Sequence, residues 1–126
     1  MILGLGTDIA EIQRVKRVYE SKGEGFIDRI LTSQEKESMP NKEEKIPSYL
    51  AKRFVVKEAA AKALGTGIGN GVSFHDFTLE HTELGAPILL ISGSASEIAS
   101  EKGITQWHVS LSDEVNYAVA TVIAEK

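Results

Sequence analysis

The chain has 126 residues, which is the size of one ordinary domain and enough to bury a hydrophobic core without disulfides or structural metal ions. Hydrophobic residues make up 42 % and charged residues 25 %, a balance that is typical of a folded globular protein and argues against intrinsic disorder. The formal net charge of −4 argues against a general attraction to nucleic acid, and the absence of cysteine excludes disulfides, zinc–thiolate sites and a cysteine nucleophile.

None of the apolar runs approaches the roughly 20 residues that a membrane-spanning helix needs. The longest mostly apolar stretches are Pro87–Ile91 and Tyr117–Ala124. The first residues are apolar, but they lack a basic lead and reach Asp8 too early for a secretory signal peptide. The sequence therefore predicts a cytoplasmic protein without a membrane or nucleic-acid partner.

The first half of the chain predicts one strand followed by a series of helices. Met1–Ile9 is a short apolar run typical of a buried strand, and Gly4 and Gly6 would let another backbone come close. Asp8 falls where this strand ends. The segments that follow show apolar residues at helical spacing, capping residues or terminal glycine and proline residues. Helices are predicted over Glu11–Ser21, Gly25–Leu31, Thr32–Ser38 and Pro47–Leu64.

The second half of the chain is richer in strands. After the glycine-rich segment Gly65–Gly71, apolar and polar residues alternate as they do in half-buried strands. One helix interrupts this pattern, predicted over Gly93–Lys102 with Ser94 as its N-cap and Gly103 as its stop. The strands are predicted over Phe74–Glu80, Pro87–Ile91, Gln106–Ser112 and Tyr117–Ala124. This segregation predicts a single α+β domain over residues 1–126, with helices packed on a mainly antiparallel sheet.

The segment Gly65–Gly71, with the sequence GTGIGNG, is the first candidate for a binding site. Glycine-rich loops can bind phosphate groups through backbone N–H groups that no Cβ obstructs. Here, however, the loop follows a helix, and neither GxGxxG nor GxxxxGK(S/T) is present. Taken alone, the segment is therefore interpreted as a flexible connection between a helix and a strand.

The long helix carries two charged stripes. At about 100° per residue, Arg53 and Lys57 share one stripe, and Glu58 and Lys62 share another. Glu58 and Lys62 have the spacing of a surface ion pair, and the spacing alone favours this solvent-facing interpretation. The alternative is a site in which one carboxylate and three cations bind a metal ion and a polyanionic substrate.

Asp8 bears on this choice, because a carboxylate that ends a buried strand needs a partner, a metal ion or a capping role. Its ordinary interpretation is the N-cap of the following helix. Together, Asp8 and Glu58 would supply enough oxygen ligands for Mg²⁺, which retains water molecules and accepts substrate phosphate oxygens. The three histidines lack zinc-site spacing. Of these, His108 is interpreted either as a histidine at the edge of the core or as a hydrogen-bond donor to a phosphate group.

Two motifs make the chain similar to a known family. Residues 4–14, with the sequence GLGTDIAEIQR, resemble the N-terminal motif of the holo-[acyl-carrier-protein] synthases. Residues 53–67, with the sequence RFVVKEAAAKALGTG, resemble the second motif of that family. These enzymes are the short, single-domain group of the 4′-phosphopantetheinyl transferases. The resemblance continues to the final strand and covers essentially the whole chain. Many relatives carry histidine at the position of Asp113, so the resemblance assigns no role to that residue.

The resemblance implies the 4′-phosphopantetheinyl transferase fold and a reaction. A serine hydroxyl of apo acyl carrier protein attacks the β-phosphate of coenzyme A, the 4′-phosphopantetheine arm moves to the serine, and adenosine 3′,5′-bisphosphate leaves. Asp8 and Glu58 would hold Mg²⁺, and Lys62 would bind the pyrophosphate and stabilise the leaving group. Glu58, Asp8 and a metal-bound water are the candidates for the base, and the sequence does not separate them. The residues implied to contact the nucleotide are Arg53, Lys62, Gly65, Thr66, Gly67, His108 and Ser110.

The resemblance also implies a homotrimer with coenzyme A bound between neighbouring subunits, and a role in fatty acid biosynthesis. A basic surface on the first helices, with one apolar anchor, would bind the acidic carrier protein by charge complementarity. Its residues are Arg14, Arg17, Lys22, Phe26 and Arg29. Two other classes stay open: an oligomer that binds coenzyme A or a nucleotide without catalysis, and an interaction domain whose charged helix is merely solvated.

Overall fold

The computed structural model describes all 126 residues, from Met1 to Lys126. Five strands and five α-helices follow one another along the chain. The strands are β1 (Ile2–Glu11), β2 (Phe77–His81), β3 (Pro87–Ile91), β4 (Gln106–Asp113) and β5 (Tyr117–Glu125). The α-helices are α1 (Ile12–Lys22), α2 (Glu24–Ile30), α3 (Ser33–Glu37), α4 (Ile46–Leu64) and α5 (Gly93–Lys102). Two single 3₁₀ turns lie at Glu43–Lys45 and Phe74–Asp76.

Both sheets of the protein are antiparallel. The larger sheet has the strand order β1–β5–β4, so the first strand of the chain pairs with the last. The smaller sheet is the hairpin of β2 and β3. The predicted α+β fold, with helices packed on a mainly antiparallel sheet, is therefore confirmed. None of the helices combines the length and hydrophobicity that are needed to span a membrane.

Helix α4 forms the centre of the hydrophobic core and lies against the inner face of the larger sheet. The sheet can come very close to this helix, because β1 presents glycine at two inward-facing positions. A Cβ atom on Gly4 would lie 1.8 Å from the carbonyl oxygen of Ala63, and one on Gly6 would lie 1.9 Å from that of Ala59. The predicted close approach at these glycines is confirmed, with α4 as the neighbouring backbone.

The outer face of the larger sheet is apolar and exposed. Because side chains alternate along a strand, Leu5 and Ile9 point away from α4, and they are 64 % and 63 % exposed. Val119 pairs with Ile9, and Tyr117 lies two residues before Val119 on the same side of β5. Both are also exposed. A contiguous apolar surface of this kind normally marks an interaction site.

Strand β1 is longer than the sequence predicts. Asp8 pairs with Ala120 in the middle of the strand, and the pairing continues to Glu11 opposite Tyr117. Glu11 is also the N-cap residue of α1. The expectation that Asp8 ends the strand and caps the helix is therefore wrong, because backbone pairing with β5 continues beyond the apolar run.

In the second half of the chain, the start of one strand and the N-cap of one helix differ from the prediction. The strand expected from Phe74 begins three residues later, after a capped 3₁₀ turn. At α5 the N-cap residue is Ser92 rather than Ser94, and the N–H of Ala95 donates to Oδ2 of Asp76 at 3.2 Å. A carboxylate that is distant in sequence thus takes the capping role that the local sequence assigned to Ser94.

Candidate functional site

A cavity of 410 Å³ lies among β1, α1, α2 and α4. Two carboxylates, Asp8 from β1 and Glu58 from α4, contribute to its wall. Arg14 of α1 and Phe26 of α2 line the same cavity. The structure therefore brings the two predicted metal ligands together with two of the residues predicted to bind the carrier protein.

The local sequence explains how the carboxylates meet. Side chains alternate along β1, so Asp8 faces α4 on the same side as Gly4 and Gly6. The absent side chains at the two glycines let this end of the strand lie directly on the helix. Glu58 immediately precedes Ala59, whose carbonyl oxygen is the atom that Gly6 approaches. The glycine contacts thus place the two acidic residues in one cavity.

Lys62 is the cation of this site. Its Nζ donates to Oδ1 of Asp8 at 3.2 Å and to the carbonyl oxygen of Thr7 at 2.9 Å. Lys62 forms its ion pair with Asp8 and none with Glu58. The prediction of a surface ion pair between Glu58 and Lys62, which the spacing favoured, is therefore wrong. The side chain is half exposed, and an ammonium has three N–H groups, so one donor remains for a ligand.

Glu58 is a half-buried carboxylate that makes no hydrogen bond or ion pair within the chain. Burial raises the pKa of its carboxyl group above the usual value, and the nearby charge of Asp8 raises it further. The charges of Lys62 and Arg29 counter part of this increase in pKa. The charged form of Glu58 is thus left without a partner, as expected of a group that binds a ligand or a proton.

This raised pKa predicts that Glu58→Gln stabilises the protein at neutral pH. When the pKa of a carboxyl group is higher in the folded state than in the unfolded state, protonation of that group stabilises the fold. This contribution to the free energy of unfolding is complete below about pH 4.3, the pKa of an unperturbed glutamate, and is lost as the pH rises through the folded-state pKa. The neutral glutamine avoids that loss. Melting temperatures in EDTA-containing buffer should be higher for the variant at pH 7, and the difference should shrink toward pH 4. A variant that melts at or below the wild-type temperature at pH 7 would contradict the prediction.

Arg53 and Lys57 point to a different side of α4. Lys57 is fully buried, and its Nζ lies 2.5 Å from Oε1 of Glu35. The Arg53 guanidinium stacks 3.6 Å above the ring of Tyr49 and lines a second cavity of 480 Å³. The hypothesis of three cations around Glu58 is therefore wrong for Lys57 and Arg53. The buried Nε of Arg53 has no hydrogen-bond partner, so this side chain keeps an unused donor.

The predicted nucleotide-binding segment forms the C-terminal cap of α4. Gly65 adopts a left-handed conformation with φ +92°. The backbone N–H groups of Gly65, Thr66 and Gly67 all donate to the carbonyl oxygen of Ala61, at 3.1, 3.2 and 3.1 Å. These three N–H groups are therefore not free to bind a phosphate, and contact with a nucleotide would have to come from the Thr66 side chain or the glycine surfaces.

His108 and Ser110 lie on the outer face of the larger sheet. They pair with Ile123 and Thr121 of β5, and Nε2 of His108 lies 2.8 Å from Oε1 of Glu125. Asp8 projects from the inner face toward Lys62. One chain therefore holds the predicted metal ligands and these two predicted nucleotide contacts on opposite faces of the sheet.

The predicted carrier-protein surface is formed by α1 and α2, which carry all five of its residues. Arg17 lies 3.7 Å from Glu11, and the Arg29 guanidinium lies 5.8 Å from the centre of the Phe74 ring. Lys22 is exposed in the last turn of α1. Of the five residues, Arg14 and Phe26 line the cavity itself, whereas Arg17, Lys22 and Arg29 lie outside its lining.

Sequence reasoning missed two residues near the site. Phe54 lines the cavity and packs 5.7 Å from Phe74, ring centre to ring centre. Its position four residues before Glu58 places both on one helix face, and this spacing could have identified it. No spacing in the sequence could have identified Glu35, because its contact with Lys57 joins two elements that lie 22 residues apart.

Asp8 and Glu58 are the side chains that could hold a metal ion. No group of three or more His, Asp or Glu side chains forms a complete metal site. Two carboxylates suit Mg²⁺, which prefers oxygen ligands and completes its coordination with water and substrate phosphate oxygens. The donor set therefore fits a metal that is shared with a phosphate-containing ligand.

Comparison with known proteins decides the family. The sequence pattern of the 4′-phosphopantetheinyl transferase superfamily matches residues 4–122. The chain belongs to this superfamily. Within it, the holo-[acyl-carrier-protein] synthase of Vibrio cholerae (strain M66-2) is 54 % identical over 126 residues, which cover 100 % of this chain and 99 % of the relative. The predicted family resemblance is confirmed over the full length.

Solved structures of superfamily members share the fold. The holo-[acyl-carrier-protein] synthase of Neisseria meningitidis is 44 % identical, with a TM-score of 0.91 and complete coverage of both chains. The enzyme from Bacillus anthracis, solved in complex with CoA (3′,5′-ADP), is 35 % identical with a TM-score of 0.82 and covers 98 % of this chain and 96 % of its own. Both similarities extend over the elements that form the Asp8–Glu58 cavity.

Proposed function

We propose that this protein is a holo-[acyl-carrier-protein] synthase that acts as one domain in the cytoplasm and supports fatty acid biosynthesis. It transfers the 4′-phosphopantetheine arm of coenzyme A to a serine of apo acyl carrier protein and releases adenosine 3′,5′-bisphosphate. The observation that carries this proposal is the meeting of Asp8, Glu58 and Lys62 at a partly apolar cavity, in a chain 54 % identical to such a synthase. The absence of cysteine agrees with a reducing cytoplasm.

Asp8 and Glu58 are the proposed ligands of Mg²⁺. When bound, the ion would neutralise negative charge on the pyrophosphate of coenzyme A, which is the main electrostatic need of phosphoryl transfer. The remaining donor of Lys62 would bind a pyrophosphate oxygen and stabilise the leaving group. Glu58, Asp8 and a metal-bound water remain the candidates for the base that accepts the serine proton.

Coenzyme A is proposed to lie between two subunits. The proposed nucleotide contacts are divided between the two sides of the larger sheet, with Thr66 next to the end of α4 and His108 and Ser110 on the outer face. A second copy packed on the outer face could bring its His108 to the Asp8 site of its neighbour. The exposed apolar residues of that face supply the surface for the proposed homotrimer.

A charge on this outer face is expected to prevent assembly. Leu5→Glu would place a carboxylate in the proposed apolar interface, where burial without a partner is costly. Sedimentation velocity should show a trimer for the wild type and a monomer for the variant. Leu84→Glu is the matched control, because Leu84 is 99 % exposed in the β2–β3 loop and lies away from this face. A trimeric Leu5→Glu variant would contradict the proposed interface.

An active site that is shared between subunits can be recognised from the activity of trimers that mix two variants. Glu58→Gln subunits and His108→Ala subunits each damage one half of the proposed site. After mixing, some sites would take Glu58 from one subunit and His108 from its neighbour, and transfer at low coenzyme A concentration should rise above that of either variant alone. Activity equal to the average of the two separate variants would place both residues in sites formed by one subunit.

Arg14→Glu is expected to raise the KM for apo acyl carrier protein by about tenfold, a cost of about 1.4 kcal/mol, because it replaces an attractive charge on the proposed carrier-protein surface with a repulsive one. The KM for coenzyme A should not change. Steady-state kinetics with each substrate varied in turn measures both values. An equal loss of affinity for coenzyme A would contradict the assignment of Arg14 to the carrier-protein surface.

The reaction itself is tested by the intact mass of apo acyl carrier protein after incubation with this protein, coenzyme A and Mg²⁺. The expected result is a mass gain of one phosphopantetheine group that EDTA abolishes. A gain that persists in EDTA would overturn the role of the metal. No gain, together with a thermal shift on addition of coenzyme A, would favour a binding protein without catalysis. No gain and no shift would favour an interaction domain.

A further inference from the structure

One buried ion pair lies directly behind the proposed site. Lys57 and Glu35 have side-chain exposures of 0 % and 1 %, and the Lys57 Nζ donates to Oε1 of Glu35 and to the carbonyl oxygen of Ile30, both at 2.5 Å. Such a pair is a poor source of stability, since desolvation of both charges offsets their attraction. Its presence therefore calls for a role other than stability alone.

The pair organises the turn between α2 and α3. Ile30 is the last residue of α2, and its carbonyl oxygen is bound by Lys57. Oε1 of Glu35 also accepts the backbone N–H of Thr32 at 2.9 Å, and Oε2 accepts that of Leu79 in β2 at 2.9 Å. One ammonium and one carboxylate thus join the end of α2, the start of α3 and strand β2 to helix α4.

This junction connects α2 to the helix that carries Glu58. The Lys57–Ile30 hydrogen bond is the one that connects α2 to α4. Lys57 is adjacent to Glu58 in the sequence, and α2 carries Phe26 and Arg29 on the proposed carrier-protein surface. A shift of α2 would therefore change the distance between this surface and Glu58.

We propose that the Lys57–Glu35 pair is a positioning element, which holds α2 against α4 so that Phe26 and Arg29 receive the carrier protein directly beside Glu58. This inference rests on the proposed function. The pair touches neither substrate, and it acts through the placement of α2. Its loss should therefore weaken productive binding of the carrier protein much more than binding of coenzyme A.

The test uses paired substitutions, because either single change would leave an unpaired buried charge and threaten folding. Lys57→Met with Glu35→Gln removes both charges at nearly constant volume. A cooperative melting transition is expected, with the KM for apo acyl carrier protein raised about tenfold or more through misplacement of α2. The KM for coenzyme A should stay within about twofold of the wild type. Transfer by the wild-type protein, measured first, shows separately whether the proposed function holds.

A matched control is available on the surface. Asp28 of α2 and Lys36 of α3 form an exposed ion pair that joins the same two helices without touching α4. Asp28→Asn with Lys36→Met makes the same change in charge and should leave both KM values unchanged. Equal effects of the two double variants on carrier-protein KM would overturn the proposal, and so would a wild-type KM in the buried double variant.

A second, more conservative double substitution at the same two positions provides another test of the proposal. Lys57→Gln with Glu35→Gln can still form hydrogen bonds across the turn, so the carrier-protein KM should lie between those of the wild type and the Lys57→Met pair. The same KM criteria apply to it if the Lys57→Met pair does not fold. A parallel rise in the KM for both substrates would overturn the proposal, because it would indicate general structural damage rather than displacement of α2.

Discussion

Glutamine in place of Glu58 is expected to lower the rate of phosphopantetheine transfer by roughly 10³-fold or more, since metal-assisted charge stabilisation contributes several kcal/mol to such a transition state. The substitution keeps the size of the side chain and removes one of the two carboxylates proposed to bind Mg²⁺. It also removes one of the candidates for the base. Intact-mass time courses of apo acyl carrier protein at saturating coenzyme A and Mg²⁺ measure the rate.

Loss of activity in Glu58→Gln would not be explained by unfolding, because the same substitution is expected to raise the melting temperature at pH 7. Glu101→Gln is the matched control, since Glu101 is exposed on α5 and contacts no residue of the site. It should transfer at the wild-type rate. Near-wild-type transfer by Glu58→Gln would remove this carboxylate from the active site and leave the metal without its second ligand.

The sequence predicted the elements whose ends are determined by local chemistry. The bounds of β3 and α5 agree with the prediction, and α4 ends at Leu64 because Gly65 adopts the left-handed cap conformation. The ends of β1 and the N-cap of α5 were predicted wrongly. In both cases the deciding contact is distant in sequence: pairing with β5 extends β1, and Asp76 binds the N-terminus of α5.

The same distinction applies to the site. Spacing placed Glu58 and Lys62 on one stripe of α4, but it could not show that Lys62 pairs with Asp8, 54 residues away, instead of with Glu58. It also grouped Lys57 with the functional cations, although Lys57 is buried against Glu35 on another side of the helix. Helical periodicity fixes which residues share a face, whereas the packing of other elements decides what that face contacts.

Alanine in place of Gly6 is expected to lower the free energy of unfolding by about 3 kcal/mol or more, at the upper end of the cost of overpacking a core. The new Cβ would lie 1.9 Å from the Ala59 carbonyl oxygen and 2.8 Å from the Ala63 nitrogen. Both are backbone atoms of a buried helix and cannot move aside as a flexible side chain could. Urea unfolding at one fixed protein concentration measures the loss, which is a large part of the 5–15 kcal/mol of an ordinary domain.

Gly25→Ala is the control for this change, because no atom lies within 4 Å of the added Cβ and the residue lies in α2 without a positive φ. Alanine there should raise the free energy of unfolding by about 0.5–1 kcal/mol, since it reduces the freedom of the unfolded chain and favours the helix. Opposite signs at the two positions would separate the contact with α4 from the general effect of glycine. If Gly6→Ala folds with wild-type stability, β1 need not touch α4 closely, and the close contact that places Asp8 beside Lys62 would have to be assigned to other residues.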